Sequence, residues 1–507
     1  VFIEVMLVLF YNSNHLIETL KKKGNGTGFI TETFSYDPFG NLLTKTLSTS
    51  GISRSETFTY YTGGRFLKTH SDIEGLTTTY TYNTSNGNPL TVTNPYGLTT
   101  TYEYDGWGRV KSEIDYLGNV NNHSYTTTNI NGNLTFVKST TLADGAVAIN
   151  YYNAFGWLVK SKAKTLGNRY VSKSYEYDAI GRTLRESEPY FTSASQWNQS
   201  GYDSYGRMIS QQLFTGMVIN TTYDGLSVTI DDGTKTKTVT KNAVGNIMKM
   251  VDPGGTINYT YFANGSMKQA NYGTHIVETE IDGWGRKKKL IDPSAGTYTY
   301  TYNTLGEILT EVTPKGTTTY NYDANGKTLN KTIVGDLTNL SLIFEYRSDK
   351  LLGKINGRDH IASKNYSYTY DYDNTTKLPK SLKEVTPTAN FEKRLTYDGL
   401  NRVKTEKYIN NHTLSSTNST VHVENVYDNA GILTEVKDKT TNASLWEVTE
   451  ENAKGQAKNI NLGNGITKAR TYDNFGFLKN IRDTKSGINA LRLDYNFDAK
   501  RGVLKSR

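Results

Sequence analysis

The sequence predicts an all-β protein, in which tandem β-hairpins share one long antiparallel sheet. Three observations lead there. Of 507 residues, 36% are apolar, 21% charged and 12% aromatic. Tyrosine accounts for 38 residues and glycine for 45. A short tyrosine-to-glycine motif recurs along the chain at about the length of one hairpin with its two turns.

This composition argues against the main alternatives. Helical bundles and doubly wound α/β enzymes need long Leu/Ala/Val-rich segments for their cores. Disordered chains are poor in the Tyr, Thr, Val and Ile that form strands. With no cysteine, disulfides, thiolate nucleophiles and the usual structural zinc sites are ruled out. Ladder hydrogen bonds and packing must then hold the fold. The net charge is +8, from 57 basic and 49 acidic residues. The dense clusters Lys21–Lys23 and Lys287–Lys289 read as solvated strand or loop ends, so no nucleic-acid partner is expected. No stretch approaches the roughly 20 apolar residues of a membrane span.

Residues 1–30 read as an N-terminal apolar segment with one possible short helix. The run VFIEVMLVLFY contains Glu4, with no basic flank before it and no small-residue cleavage site after it, so it does not read as a complete signal peptide. The chain begins with Val1, and we read it as an excerpt of something longer. The stretch from Asn14 to Gly24 offers the helix, with Asn14 as N-cap and Gly24 as stop.

Residues 31–507 carry the repeat. Tyr, then Asp or Asn, two residues, then Gly occurs intact at Tyr36-Asp37-Gly40, Tyr104-Asp105-Gly108, Tyr152-Asn153-Gly156, Tyr177-Asp178-Gly181 and Tyr202-Asp203-Gly206. It recurs at Tyr302-Asn303-Gly306, Tyr322-Asp323-Gly326, Tyr427-Asp428-Gly431 and Tyr472-Asp473-Gly476. Composition alone would place Gly four positions after Tyr in only about three or four cases, before Asp or Asn is demanded between them. With degenerate copies there are about 21 repeats at a mean spacing of about 23 residues, the last cut within a repeat.

Each copy reads as a hairpin. In TTTYEYDGWGRVKSEIDYLGN, Tyr102 and Tyr104 share one face of a strand. Asp105 can hydrogen-bond its own turn, Gly108 supplies the positive φ that closes it, and Arg109 begins the returning strand. Second turns follow at the opposite end, such as Asn94-Pro95-Tyr96-Gly97 and Asp252-Pro253-Gly254-Gly255. Tyrosines recurring at one position are expected to make aromatic rows along the sheet. About 42 strands at roughly 4.8 Å would make a ribbon near 200 Å long, and twisted sheets beyond about ten strands curl, so the ribbon is expected to coil.

The segments YDGWGRVKSEIDYLGN and YNTLGEILTEVTPKGTTTYNYDANGK resemble Rhs or YD repeats. These are found in bacterial recombination-hotspot proteins, wall-associated proteins, insecticidal toxin complexes and animal teneurins. The resemblance implies a β-sheet spiralling into a hollow shell, or part of one. In toxin members that shell encloses a C-terminal toxic domain. It implies structural roles for the motif residues: tyrosines stacking in the wall, Asp as turn acceptor, Gly closing the turn. Arg109, Arg182 and Arg207 follow three of those glycines. It also implies a secreted or cell-surface bacterial protein with a toxin passenger beyond Arg507. The toxin members' closing motif, R-x-Y-D-P-x-x-G-R-F, has no match here. Asp37-Pro38-Phe39-Gly40 lies near the wrong end.

Little else suggests chemistry. Seven histidines show no metal-ligand spacing, and no G-x-S-x-G occurs. Asp231-Asp232 before Gly233 reads as a turn. The repeated Asp cannot be catalytic in every copy, because an active site needs one special environment. The expectation is therefore a non-enzymatic scaffold without cofactors that sequesters and delivers a toxic domain, with secretion-system components as further partners. The alternative is an adhesive surface for cell-surface glycans. There Trp107 and Trp284, in matching GWGR loops, would present their indoles. N-x-S/T sequons, including Asn25, Asn220 and Asn374, are expected in an Asn/Thr-rich chain.

Overall fold

The computed structural model describes residues 6–24, 28–412 and 418–507. Val1, Glu4 and Asn25 lie outside them. Forty-three strands join in a single sheet, and consecutive strands pair antiparallel, as between Phe29–Tyr36, Leu42–Thr49 and Ile52–Tyr60. A separate two-stranded piece pairs Asn496–Phe497 with Leu504–Ser506. Among the described residues the one helical element is the 3-10 turn Leu166–Asn168. The all-β expectation therefore holds, as one long antiparallel sheet.

The helix expected over Asn14–Gly24 is corrected. Met6–Tyr11 and Ile17–Lys23 form an antiparallel hairpin. Tyr11-Asn12-Ser13-Asn14-His15 is a further copy of the motif, with His15 in the glycine position at φ 61°. His15 N donates to Asn12 O at 3.0 Å, and the Asn12 side chain accepts from Asn14 N and Leu16 N at 2.9 and 3.0 Å. An asparagine that satisfies its own turn competes with a helix start. Ile17–Lys23 then pairs with Phe29–Tyr36, so this segment is part of the ribbon and not a separate N-terminal element.

The ladder slips by one residue at eight of the nine motif tyrosines. Thr301 pairs with Thr310, but Tyr302 pairs with Ile308. The same bulge stands at Tyr36, Tyr152, Tyr177, Tyr202, Tyr322, Tyr427 and Tyr472. It marks a type I turn followed by a left-handed residue, the usual partner of a one-residue bulge. Threonine finds its place between the turns. Thr59 and Thr69, Thr81 and Thr91, and Thr301 and Thr310 bring their hydroxyls to 2.6 Å across neighbouring strands. Such cross-strand hydroxyl pairs stabilise a half-wet sheet face.

Few apolar residues are buried. Among the described residues only Leu166, Ala389 and Ala430 are. Ladders and turns, rather than a core, therefore hold the chain.

The chain divides into two compact units. The first comprises Val1–Thr101, Val239–Lys393 and Ile409–Ser419. Inside it, stretches about 253 residues apart in sequence lie side by side. Arg54 reaches Glu307 at 2.5 Å, Lys327 reaches Glu74 at 2.9 Å, and the Tyr96 hydroxyl donates to Asp349 O at 3.3 Å. The second unit comprises Tyr102–Thr238, Arg394–Tyr408 and Thr420–Arg507. There the Tyr116 hydroxyl donates to the Asn401 side chain at 2.8 Å, and Asn119 donates to Gly399 O at 2.7 Å.

In the first unit Gly24 lies directly against Gly283 and Trp284, and a β-carbon on Gly24 would sit 2.9 Å from the indole. Gly24→Ala is expected to destabilise the protein by about 1–3 kcal/mol, the usual cost of overpacking. Thermal unfolding followed by circular dichroism checks this, and an unchanged transition would contradict the close approach.

Candidate functional site: the motif turn and its latch

All nine intact motifs build one turn. The Asp or Asn backbone N–H donates to the carbonyl four residues on, and the glycine N–H donates back to the Asp or Asn carbonyl, at 2.9–3.1 Å. The closing glycines all have positive φ, from 74° at Gly108 to 99° at Gly306. That region favours glycine because a β-carbon there is strained. Asn401 and Lys350 take the same position in degenerate copies at φ 61° and 70°.

The Asp or Asn side chain adds a second lock. Asp105 Oδ1 accepts from Trp107 N at 2.9 Å and Arg109 N at 3.0 Å. Asp37, Asn153, Asp178, Asp203, Asp323, Asp428 and Asp473 do the same two and four residues on. Asn303 accepts from Glu307 N at 3.0 Å. Asp231 and Asp232 act as turn acceptors as well, receiving Gly233 N, Thr234 N and Lys235 N at 2.8–2.9 Å.

Two further contacts tie turns to their neighbours. The motif tyrosine donates its hydroxyl to a backbone carbonyl in the preceding copy, two residues past the closing position. Tyr177 reaches Leu158 O at 2.7 Å, Tyr202 reaches Thr183 O at 2.8 Å, and Tyr302 reaches Lys287 O at 2.7 Å. Tyr36, Tyr322, Tyr427 and Tyr472 make the equivalent bond to Ile17, Ile308, Val403 and Ala457 at 2.8–3.0 Å.

Arginine after the closing position completes the latch. Arg109, Arg182, Arg207, Arg286 and Arg402 each donate Nε to their own turn aspartate at 2.6–2.8 Å. Held there, the guanidinium covers the ring of a tyrosine further along the ribbon, at 4.1–4.8 Å for Tyr125, Tyr202, Tyr223, Tyr302 and Tyr427. This is cation–π geometry. In these five copies a cation stands between the rings, whereas Phe66, Trp157 and Phe477 hold the same position and meet the rings of Tyr82, Tyr177 and Phe497 at 5.0, 5.5 and 5.3 Å. Equivalent tyrosines stand two strands apart, roughly 9.6 Å, beyond the reach of ring stacking. Residues of the return strand fill the gap.

The electrostatics follow from these bonds. Burial acts to raise the carboxyl of Asp398, but the side-chain and backbone bonds from Arg402 and the Leu400 N–H outweigh it and hold the group below its ordinary value. Asp105, Asp178 and Asp203 are lowered in the same way, with their arginines opposing desolvation. In Asp37 the opposing bonds come from Asn41 and nearby N–H groups. Burial raises the phenols of Tyr104, Tyr177, Tyr302 and Tyr322.

The two tryptophans are not equivalent. Trp107 is exposed, but Trp284 is half-buried and packs beside Gly24. The idea that both GWGR loops present matching indoles is corrected, because a neighbouring stretch of ribbon covers one of them. The arginine latch was missed in the sequence, although the recurring Gly-Arg pairs carried its signal. The contacts between stretches of ribbon had no local signal at all.

A continuous ribbon of hairpins, turned and latched in this manner, is a YD-shell scaffold fold. The teneurin YD-shell family model matches residues 3–189, and the resemblance to YD-repeat proteins read from the motif holds. Among solved structures the chain is similar to TcdB2-TccC3 without its hypervariable C-terminal region, at 12% identity and a TM-score of 0.64, covering 96% of this chain and 34% of that one. It is also similar to TcdB2-TccC3, at 13% identity and a TM-score of 0.63, covering 96% and 32%. A Photorhabdus luminescens Tc holotoxin pore with a TccC3 mutation gives 12% identity, a TM-score of 0.61, and coverage of 99% and 32%. The chain thus spans about a third of the length of these structures. No curated protein matches the sequence.

Asp398→Ala is expected to cost about 1–2 kcal/mol at neutral pH, the scale of hydrogen bonds to a charged group. Because the folded carboxyl lies below its unfolded value of about 3.9, its contribution is present above that pH and is lost as pH falls through the lower folded value. The difference between parent and variant should therefore shrink below about pH 4. Denaturant midpoints across pH measure it, and a gap that is constant down to strong acid would contradict the assignment. Tyr177→Phe, which removes only the bond to Leu158 O, is expected to cost about 0.5–1.5 kcal/mol in the same assay. No change in midpoint would show that the hydroxyl is better served by water.

Proposed function

We propose that this stretch is a non-catalytic wall segment of a YD-repeat shell in a secreted bacterial toxin. In the full-length protein the shell encloses a toxic passenger that follows Arg507. The observation that carries this reading is the pairing of a 43-stranded sheet with only three buried apolar residues among those described. A ribbon of this length without a core of its own serves as a wall, and its stability leaves both faces available. Fold similarity supports the reading. One of the similar structures is described as lacking a hypervariable C-terminal region, which is the position a passenger would occupy. The repeated site supports a non-catalytic reading: its carboxylates recur in equivalent environments, each engaged by its own turn, whereas catalysis needs one group set apart.

Protease accessibility in the full-length protein tests the proposal. The sequence following Arg507 is expected to stay uncut and inactive while the repeats are folded, and to become cleavable when they unfold. A following segment cut as fast as a free peptide under native conditions would overturn it.

A further inference from the structure

In the second unit a lysine, a glutamate and an asparagine meet where two stretches of ribbon touch. Asn198 lies on the strand Trp197–Tyr202, Glu188 just past Thr183–Ser187, and Lys454 in the motif turn that begins at Asn452. One oxygen of Glu188 accepts from Lys454 Nζ at 2.8 Å. The other accepts from Asn198 Nδ2 at 3.0 Å. A single carboxylate therefore holds an amine and an amide side by side, the amine from the later stretch and the amide from the earlier one.

All three side chains are half-buried. The Phe214 ring lies 4.2 Å from Lys454 Nζ and shields that side of it from water. Lys454 Nζ also donates to Phe475 O at 3.4 Å. Phe214 N donates to Asn198 Oδ1 at 2.9 Å, and a carbonyl whose oxygen already accepts an N–H is polarised for attack at its carbon. Burial acts to raise the Glu188 carboxyl, but the bonds from Lys454 and Asn198, with the charges of Lys454 and Lys173, hold it below its ordinary value. It stands as a carboxylate, able to take a proton from the ammonium. Nucleophile, base and polarised carbonyl are thus fixed in place by the fold, which is what amide exchange requires.

We propose that Lys454 and Asn198 join in an isopeptide bond. Glu188 takes a proton from the Lys454 ammonium, and the freed amine attacks Asn198 Cγ. The Nζ–Cγ bond forms and the Cγ–Nδ2 bond breaks. Nζ gives up two protons in all, which Glu188 relays to Nδ2, so that the departing group leaves as ammonium and the carboxylate is restored. The chain has no cysteine, and this bond supplies the covalent fastening between stretches that a disulfide gives elsewhere.

Peptide mapping of the full-length protein by mass spectrometry tests this. Trypsin is expected to leave Lys454 uncut and to release residues 440–458 joined to residues 186–207. The joined species should be about 17 Da lighter than the two peptides together, the mass of one ammonia. Lys454→Arg keeps a cation beside Glu188 but offers a guanidinium in place of an amine, so the joined peptide should vanish while circular dichroism is unchanged. Glu188→Gln should slow its formation by about a hundredfold, the usual contribution of a general base. Separate peptides of unchanged mass, in protein kept folded for days, would overturn the proposal. So would Asn198 converted to aspartate by water, or a joined peptide that forms in Glu188→Gln at the parental rate.

Discussion

The structure depends on one local constraint, a turn in which an Asp or Asn side chain satisfies the backbone N–H groups of its own loop while the closing residue takes a left-handed conformation. That geometry adds a residue to one strand and forces the bulge at the motif tyrosine. The bulge in turn fixes which face each later side chain occupies, because a one-residue slip reverses the faces of a strand. Repeated along the chain, the same turn sets the register of the sheet hairpin by hairpin. His15, Lys350 and Asn401 show that the conformation matters more than glycine itself, since each adopts it at some strain.

The latch turns a series of hairpins into one ribbon. Isolated two-stranded hairpins are marginal in water, and this chain supplies no core to compensate. Instead, the hydroxyls of seven motif tyrosines reach the preceding copy, and each well-placed arginine bridges its own aspartate and a tyrosine further on. Stability then accumulates from short-range terms between neighbours, as in other repeat proteins. The arrangement accounts for the composition. Tyrosine brings contact area together with a donor, threonine pairs across wet strands, and arginine is preferred after the glycine because its planar fork can grip a carboxylate and still lie over a ring.

Much of this was legible in the sequence, and the exceptions are instructive. Strand alternation, the Asp and Gly of the turn and the single-sheet topology rest on local patterns, and local patterns survive in sequence. The stretch Asn14–Gly24 suggests a helix in sequence, but it holds the strand Ile17–Lys23, because His15 stands where a glycine would mark the motif. The expectation of stacked tyrosine rows overlooked that equivalent residues of successive hairpins are two strands apart. The cover of Trp284 by Gly24 and the pairing of Arg54 with Glu307 join residues more than 250 positions apart, and nothing in the nearby sequence announces such partners.

The central claim is that neighbouring repeats are coupled through the arginine and tyrosine of the motif. Native-state hydrogen exchange of Arg182→Ala measures it most directly, because it reads the opening of individual strands. Faster exchange is expected in Arg169–Tyr177, Thr183–Ser187 and Trp197–Tyr202, with strands such as Gly316–Tyr322 unaffected. Exchange that stays at parental rates around Arg182, or rises equally along the whole chain, would contradict it.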